Sequence, residues 1–547
     1  MAEREPDRKD SRLQPASAVL DDMHVGDIHG AFGTIRVSDV TPRRTWRRRI
    51  LTLLAILGPG IIVMVGDNDA GGVTTYSQAG QDYGYSLLWT LLLLIPVLIV
   101  NQEMVVRLGA VTGVGHARLI NERFGRFWAI FSVGDLFVLN FLTIATEFVG
   151  IKQSSEYFGI SQWVVIPLAV VVLIGITATG NFRRWERALF VFLGISLLVI
   201  PLAVLAHPDP VAVARGFLVP GIQGGLTSTS ALVIIAIVGT TVAPWQLYFQ
   251  QSNVVDKRIT PRWLGYEKAD TVIGSFVVVV GAAAIIMATA SVFIGTREFG
   301  NFQDAYSVAR GMAQHNSYLL GGIYAVFLFD ASIVGASAVT LATSYAFGDI
   351  FGLRHSLHRG FREAKSFYGL FAGMVVGSAA IVLAADDRLL SLITVAVQAL
   401  AGILLPSAAV FLLLLCNDTE VLGPWVNRPW LNIVATLIVG VLIELSLILI
   451  VSTLFPGLDV TRLLFVLSVG VVVVVAVASL LIVRYPVQVA EISAEEKSNW
   501  RMPALALLQS PRWSLGRRAT LFGMQLYIGL AVLLLVVKAV QLALGHR

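Results

Sequence analysis

Apolar stretches long enough to cross a bilayer recur along the chain, separated by short connections where charge, glycine and proline gather. A crossing helix needs about 20 mostly apolar residues. The pattern predicts twelve or thirteen spans, at roughly 50–80, 84–106, 126–150, 162–180, 186–206, 227–253, 268–294, 318–346, 367–385, 389–415, 431–454, 462–484 and 521–544. The fold class this implies is an all-α polytopic membrane protein. The spans divide it into a polar tail at 1–48, a ten-helix core at 49–415, two more helices within 416–485, a loop at 486–520 and a last apolar segment at 521–547.

Composition strengthens that reading. With 56% hydrophobic residues, 14% charged residues and a mean hydropathy of +0.76, the chain lacks the polar surface a water-soluble fold of its 547 residues needs. The tail ends in the run Arg43, Arg44, Trp46, Arg47, Arg48 and Arg49, read as a cytoplasmic anchor; no apolar segment with a small-residue cleavage site precedes the first span. From a cytoplasmic N-terminus, the inner connections collect Arg107, Arg118 and Arg123, then Arg183, Arg184 and Arg187, then Lys257, Arg258 and Arg262. Later ones add Arg354, Arg359, Arg362, Lys365 and Arg484, while outer connections such as 207–225 and 296–317 are poorer in basic residues. The net charge of +5 therefore reports topology and not a nucleic-acid partner. The thirteenth segment is either a span or a helix lying on the membrane, since Lys538 sits inside it.

Chemistry-bearing motifs are few. One cysteine, Cys416, excludes an intrachain disulfide and a thiolate metal cluster. There is no His-Glu-x-x-His, no Gly-x-Ser-x-Gly and no phosphate loop, so no catalytic residues are assigned and neither an enzyme nor an ATP-driven pump is expected. No cofactor and no obligate protein partner is called for.

Two spans are interrupted. The first reads GPGIIVMVGDNDAGGVTTYSQAG over 58–80 and sets Asp67, Asn68 and Asp69 beside Gly71 and Gly72 at membrane depth. A carboxylate there costs about 2.5–3.5 kcal/mol and is usually functional. The adjacent glycines weaken the helix, so an unwound stretch with free carbonyls lining a cavity is predicted. The sixth span reads IVGTTVAPWQLYFQQS over 237–252, with Gly239, Thr240, Thr241 and Pro244 breaking it at comparable depth. Two broken helices five spans apart predict inverted five-helix repeats, about 50–206 and 227–415, with the site at their midplane.

These residues carry a resemblance to the Nramp divalent-metal transporters over most of the first ten spans. The family's Gly-Pro-Gly start and Asp-Pro-Gly-Asn tetrapeptide fall on Gly58 onward and on Asp69, Ala70, Gly71 and Gly72. Its Ala-Thr-Val-Met-Pro-His motif falls on Thr240, Thr241, Val242, Ala243, Pro244 and Trp245. Gln102, Glu103, the Arg107, Leu108, Gly109 run, Glu147, and Gln398 eight residues before Pro406 also match. The resemblance implies a LeuT-type 5+5 inverted repeat with unwound first and sixth helices, plus two or three extra helices.

The departures are equally informative. Ala243 stands where the family has a soft methionine ligand, Gly72 where it has asparagine, and Trp245 and Gln250 where it has histidines implicated in proton coupling. This pattern is similar to the Nramp-related magnesium transporters, which implies passive movement of Mg2+ and Mn2+. An all-oxygen, roomier site also suits magnesium's hard, partly hydrated ion.

Asp69 is the expected principal ligand, with carbonyls near Gly72 and Thr240 or Ala243, the Thr240 hydroxyl and the Gln398 amide supplying oxygens or holding water. Asp67, Asn68, Asp330 and Gln250 are candidates for the outer shell or vestibule, and Glu147 and Trp245 for coupling or structure. Each has a structural alternative: Asp69 as a helix cap, Asp67 and Asn68 as caps or vestibule lining, Asp330 and Glu147 as hydrogen-bonding partners of neighbouring groups, and Gln398 as a bridge between helices. The expected partners are a divalent ion as cargo and the lipid bilayer, in a bacterial plasma membrane. A proton-coupled Mn2+/Fe2+ symporter, a cation channel and a sodium-coupled carrier of organic solutes are the alternatives.

Overall fold

The computed structural model describes residues 21–455, 457–485, 492–509, 518, 520–527 and 529–530. Among these, nine helices are long and apolar enough on their own to cross a bilayer. Two further spans qualify as bent pairs, Trp46–Ile56 with Pro59–Gly66 (52°) and Leu400–Cys416 with Thr419–Trp425 (66°), and Gln162–Thr177 is a shorter apolar helix. Together they correspond one for one to the first twelve predicted stretches. The thirteenth falls largely outside the described residues; its helical start leans on the tenth span, where the Tyr527 hydroxyl donates to the Ile403 carbonyl at 2.5 Å.

The first span is three helices, Trp46–Ile56, Pro59–Gly66 and Ala70–Tyr83, and the sixth is two, Ser228–Thr241 and Pro244–Asp256. The apolar stretches of the sixth and eighth (Tyr318–Phe351) spans are 83% and 89% buried, whereas along the twelfth (Val460–Arg484) Val460 alone is buried. The broken helices therefore lie in the core and the added C-terminal helix faces outward. Lacking side chains, glycines set the central crossings: a Cβ on Gly60 would sit 2.7 Å from the Thr271 nitrogen in the seventh span (Leu264–Phe293). One on Gly239 would sit 2.8 Å from both the Gln398 carbonyl and the Gly402 nitrogen in the tenth (Asp387–Cys416). Substitution at either forces two backbones apart.

Part of the segment expected to be a polar tail is folded against the bundle. Ile28–Gly30 and Gly33–Ile35 pair as an antiparallel hairpin, Ile28 opposite Ile35. Ile28 and Ile35 bury beside Ala55 and Ile56. Arg258 donates to the carbonyls of Met23 (2.8 Å) and Asp27 (3.1 Å), Ala31 N–H donates to Glu186, and the Arg359 guanidinium clasps Asp21. The order comes from these distant partners and not from the segment's own composition.

At the same end, Lys257 and Glu186 form a fully buried ion pair at 2.6 Å, and Lys257 also donates to the carbonyls of Ile56 and Leu57. Asp270 accepts from the backbone N–H groups of Gly58 (3.0 Å), Gly60 (2.8 Å) and Ile61 (3.2 Å). Gly58 has φ of +155°, a conformation only glycine adopts easily, and it allows the 52° bend at Leu57–Gly58. The end carbonyls of Trp46–Ile56 and the free N–H groups of Pro59–Gly66 are thus both satisfied at the bend.

Candidate functional site

Helical geometry stops at Gly66 and resumes at Ala70, because Asp69 takes an extended backbone (φ −68°, ψ −178°) and its Oδ1 accepts the Gly72 N–H at 2.7 Å. Asp69 is therefore the N-cap of the second half-helix. In the sixth span Val242 and Ala243 are non-helical (ψ 69° and 148°), and Pro244 starts the next half-helix where its missing N–H costs nothing. The Tyr76 hydroxyl and Thr241 Oγ1 meet at 2.7 Å and tie the two breaks together.

Gly72 lies in the first turn of Ala70–Tyr83, which directs its carbonyl along the helix. Its contribution to the site is space. A Cβ placed there would lie 2.6 Å from the Asp67 carbonyl oxygen, 3.2 Å from Thr240 Oγ1 and 3.4 Å from Asp69 Oδ1. Three oxygens from both broken helices thus converge on the volume an asparagine at position 72 would fill. Gly71 does the same on the adjoining side: the Gln398 amide nitrogen occupies the place of its absent Cβ, and Asp69 Oδ1 lies 3.3 Å from that point. Ala243, 5% exposed, leaves its side of the break without a donor side chain.

Several of these groups are buried without a hydrogen-bond partner: both carboxylate oxygens of Asp67, Thr240 Oγ1 and Glu147 Oε1. Burying polar oxygen unsatisfied costs about 1–3 kcal/mol per group, more when charged, so a cluster of them at membrane depth marks a place for a ligand. Glu147 stands beside Asp69. Its Oε2 accepts the Ala70 N–H at 3.0 Å, and a Cβ on Gly335 would meet Asp69 Cβ at 2.7 Å and Glu147 Cδ at 2.9 Å. The eighth span approaches the pair only because residue 335 is glycine. Among the described residues no three His, Cys, Asp or Glu side chains are grouped to hold a metal, and the polar atoms at this place are carbonyl, hydroxyl and amide groups beside the carboxylates.

The remaining predicted residues lie apart from this cradle. The Asn68 amide donates to the Val278 carbonyl at 3.3 Å on the seventh span. Asp330 Oδ2 accepts from Ser196 at 2.6 Å on the fifth, and Gln250 donates to Thr271 at 3.0 Å. Trp245 packs between the half-helices, with its ring edge 3.2 Å from the Cβ position of Gly66 and its centroid 6.0 Å from that of Phe249.

Two groups escape a reading of the sequence. Gln246 donates to the Thr241 carbonyl at 3.0 Å and accepts from Gln102 at 2.7 Å, so it braces the break of the sixth span against the second. Gly335 admits the carboxylate pair. The only local signal for the amides is that they interrupt apolar runs, and for the glycine that it lies in the small-residue stretch GASA at 335–338.

A bundle with two mid-membrane helix breaks facing one another, oxygen-lined and partner-poor, defines a membrane transporter and not an enzyme. The model of the family "Natural resistance-associated macrophage protein-like" matches residues 60–452, and the chain belongs to this Nramp family. It is similar to the divalent metal cation transporter MntH of Xylella fastidiosa, 29% identical over 468 residues, covering 80% of this chain and 91% of that protein. The MntH of Latilactobacillus sakei is 27% identical over 431 residues, covering 74% and 90%. The crystal structure of the Eremococcus coleocola manganese transporter with an aromatic bis-isothiourea compound superposes with a TM-score of 0.59 at 19% identity, covering 82% of this chain and 98% of that one. The fold is thus the LeuT-type one expected.

Proposed function

We propose that the chain moves a divalent metal cation, Mg2+ and with it Mn2+, through the cradle at Gly72 by alternating access and without proton coupling. The observation that carries this reading is the convergence of Asp69 Oδ1, the Asp67 carbonyl and Thr240 Oγ1 on the space left by Gly72, with no thioether on the Ala243 side. Oxygen donors around a roomy site suit a hard ion that keeps part of its water shell, whereas sulfur would favour softer transition metals. The relatives are described as divalent metal cation transporters and the structural neighbour as a manganese transporter, which supports metal as the cargo.

Asp69 is the principal ligand. The Gln398 amide and the Asp67 carboxylate orient coordinated water, and Gln246, bonded to Gln102 and to the Thr241 carbonyl, steadies the break of the sixth span beside them. Trp245 closes the passage between the half-helices, its ring edge set against Gly66. The N-terminal hairpin lies on the cytoplasmic side of a bacterial plasma membrane, the side that collects Arg183, Arg184, Arg258, Arg262 and Arg359.

A second reading, proton-coupled transition-metal symport, draws on one observation: Glu147 abuts Asp69 with an unpartnered oxygen. The substitution Ala243→Met separates the two. It adds the soft donor and is expected to shift Mn2+ uptake relative to Mg2+ by about tenfold in favour of Mn2+, the size of one weak ligand contact of ~1.4 kcal/mol. Competitive uptake into proteoliposomes reads the ratio. An unchanged ratio places Ala243 outside the ion's path and removes the basis for the hard-cation assignment.

A further inference from the structure

Away from the transport path, a cleft of about 350 Å3 opens between the end of the second span (Leu88–Thr112), the start of the seventh, the connection from tenth to eleventh spans, and the short helix Ala494–Asn499. Its lining contains four cations, Arg107, Lys268, Arg428 and Lys497, against one carboxylate, Glu103. Glu103 is already engaged, paired with Arg107 at 3.1 Å and with Lys268 at 2.5 Å. Arg107 is further fixed by Asn427 at 2.5 Å and by the Trp425 carbonyl. Arg428 is exposed, and its guanidinium makes no ion pair or hydrogen bond among the described residues. Lys497 lies over the Trp425 ring, 4.8 Å from its centroid, while that indole N–H donates to the Lys497 carbonyl at 3.0 Å, so its ammonium is held in position.

The site therefore carries excess positive charge, with Arg107, Lys268 and Lys497 held in place. Burial, and then the neighbouring Arg428, Arg107 and Lys268, pull the Lys497 ammonium below its ordinary value, which is the response of a cation facing cations without an anion. The other walls are apolar: Ile99, Val100 and Leu431, with Trp430 58% exposed at the rim. All these segments lie at the end of the bundle that carries the N-terminal hairpin, where the spans emerge and aromatic side chains sit at headgroup depth.

We propose that this cleft binds the phosphodiester headgroup of an anionic phospholipid, with the phosphate between Arg428, Lys497 and Lys268 and an acyl chain along Ile99, Val100 and Leu431. A free anion would use the cations alone; the apolar wall of Ile99, Val100 and Leu431 beside the exposed Trp430 favours the lipid. Clusters of Lys and Arg between membrane helices at the cytoplasmic end recognise such headgroups, at about 1 kcal/mol per cation.

The test is native mass spectrometry of the full chain in neutral detergent, titrated with phosphatidylglycerol or phosphatidylcholine. The intact chain is expected to retain one phosphatidylglycerol in preference to phosphatidylcholine. The Arg428→Ala/Lys497→Ala variant should hold it roughly 30-fold more weakly, and Arg428→Lys/Lys497→Arg should restore it. Arg354→Ala/Arg362→Ala removes equal charge from exposed positions at the same end and is the control for diffuse attraction. Three results overturn the proposal: equal retention of both lipids, equal weakening by the control pair, or displacement of phosphatidylglycerol by an equal concentration of inorganic phosphate. The last would make the cleft a site for free phosphate. Retained metal uptake by the double variant separates loss of the lipid from loss of the fold.

Discussion

Replacing Asp69 by asparagine is expected to lower divalent-metal uptake by about 100-fold or more while leaving the fold intact. The two roles of this residue separate cleanly in that substitution. As a cap, Asp69 accepts the Gly72 N–H through Oδ1, and asparagine caps about as well as aspartate, so thermal stability should hold. As a ligand, the residue supplies the one carboxylate oxygen that faces the cradle beside Thr240 Oγ1 and the Asp67 carbonyl. Losing its charge removes most of the attraction for a doubly charged ion; even groups that merely support a ligand are worth 10–100-fold in metal affinity. Asp69→Ala should lose uptake equally and lose stability by roughly 1 kcal/mol as well. Measured together, uptake and melting temperature divide the roles. Wild-type uptake by Asp69→Asn would mean that the residue is a cap and nothing more.

Lys257→Met is expected to destabilise the protein by about 3–5 kcal/mol, a large share of a typical total of about 5–15 kcal/mol. Both partners of the Lys257–Glu186 pair have no exposed side-chain surface. Removing the cation leaves the Glu186 carboxylate buried with, among the described residues, only the Ala31 N–H for support, and it frees the Ile56 and Leu57 carbonyls at the bend of the first span. The double substitution Lys257→Met/Glu186→Leu should recover much of the loss, because a buried pair replaced whole by apolar side chains is often neutral. Thermal unfolding of the three variants in one detergent checks this. A single variant within about 0.5 kcal/mol of the parent would show that the pair is solvated in the working protein.

How much of this was legible in advance follows the physics of each signal. The twelve spans were legible because lipid demands about 20 apolar residues per crossing. The breaks showed because glycine, proline and acidic residues are conspicuous inside such runs; Asp69, Gly72 and Thr240 could be named from them, and Gln398 from the family resemblance. The structure brings these four together. It sets Asn68, Asp330 and Gln250 against other helices, a distinction that depends on which way a side chain faces across a bundle, and a linear pattern does not encode that.

The N-terminal hairpin was illegible for a similar reason. Its few apolar residues look like an ordinary polar tail, and its order comes from Glu186, Arg258 and Arg359, more than 150 positions away. Gln246 and Gly335 were equally hidden, since their roles are tying the sixth-span break to the second span and admitting the Asp69 and Glu147 pair, both set by tertiary approach.

The most direct test of the transport assignment is Mg2+ influx into proteoliposomes that carry a pH-sensitive dye inside. An oxygen-lined, uncoupled site predicts Mg2+ entry down its gradient without acidification of the lumen, abolished by Asp69→Asn. Mn2+ entry accompanied by acidification, with no entry of Mg2+, would contradict it and make Glu147 part of a proton path.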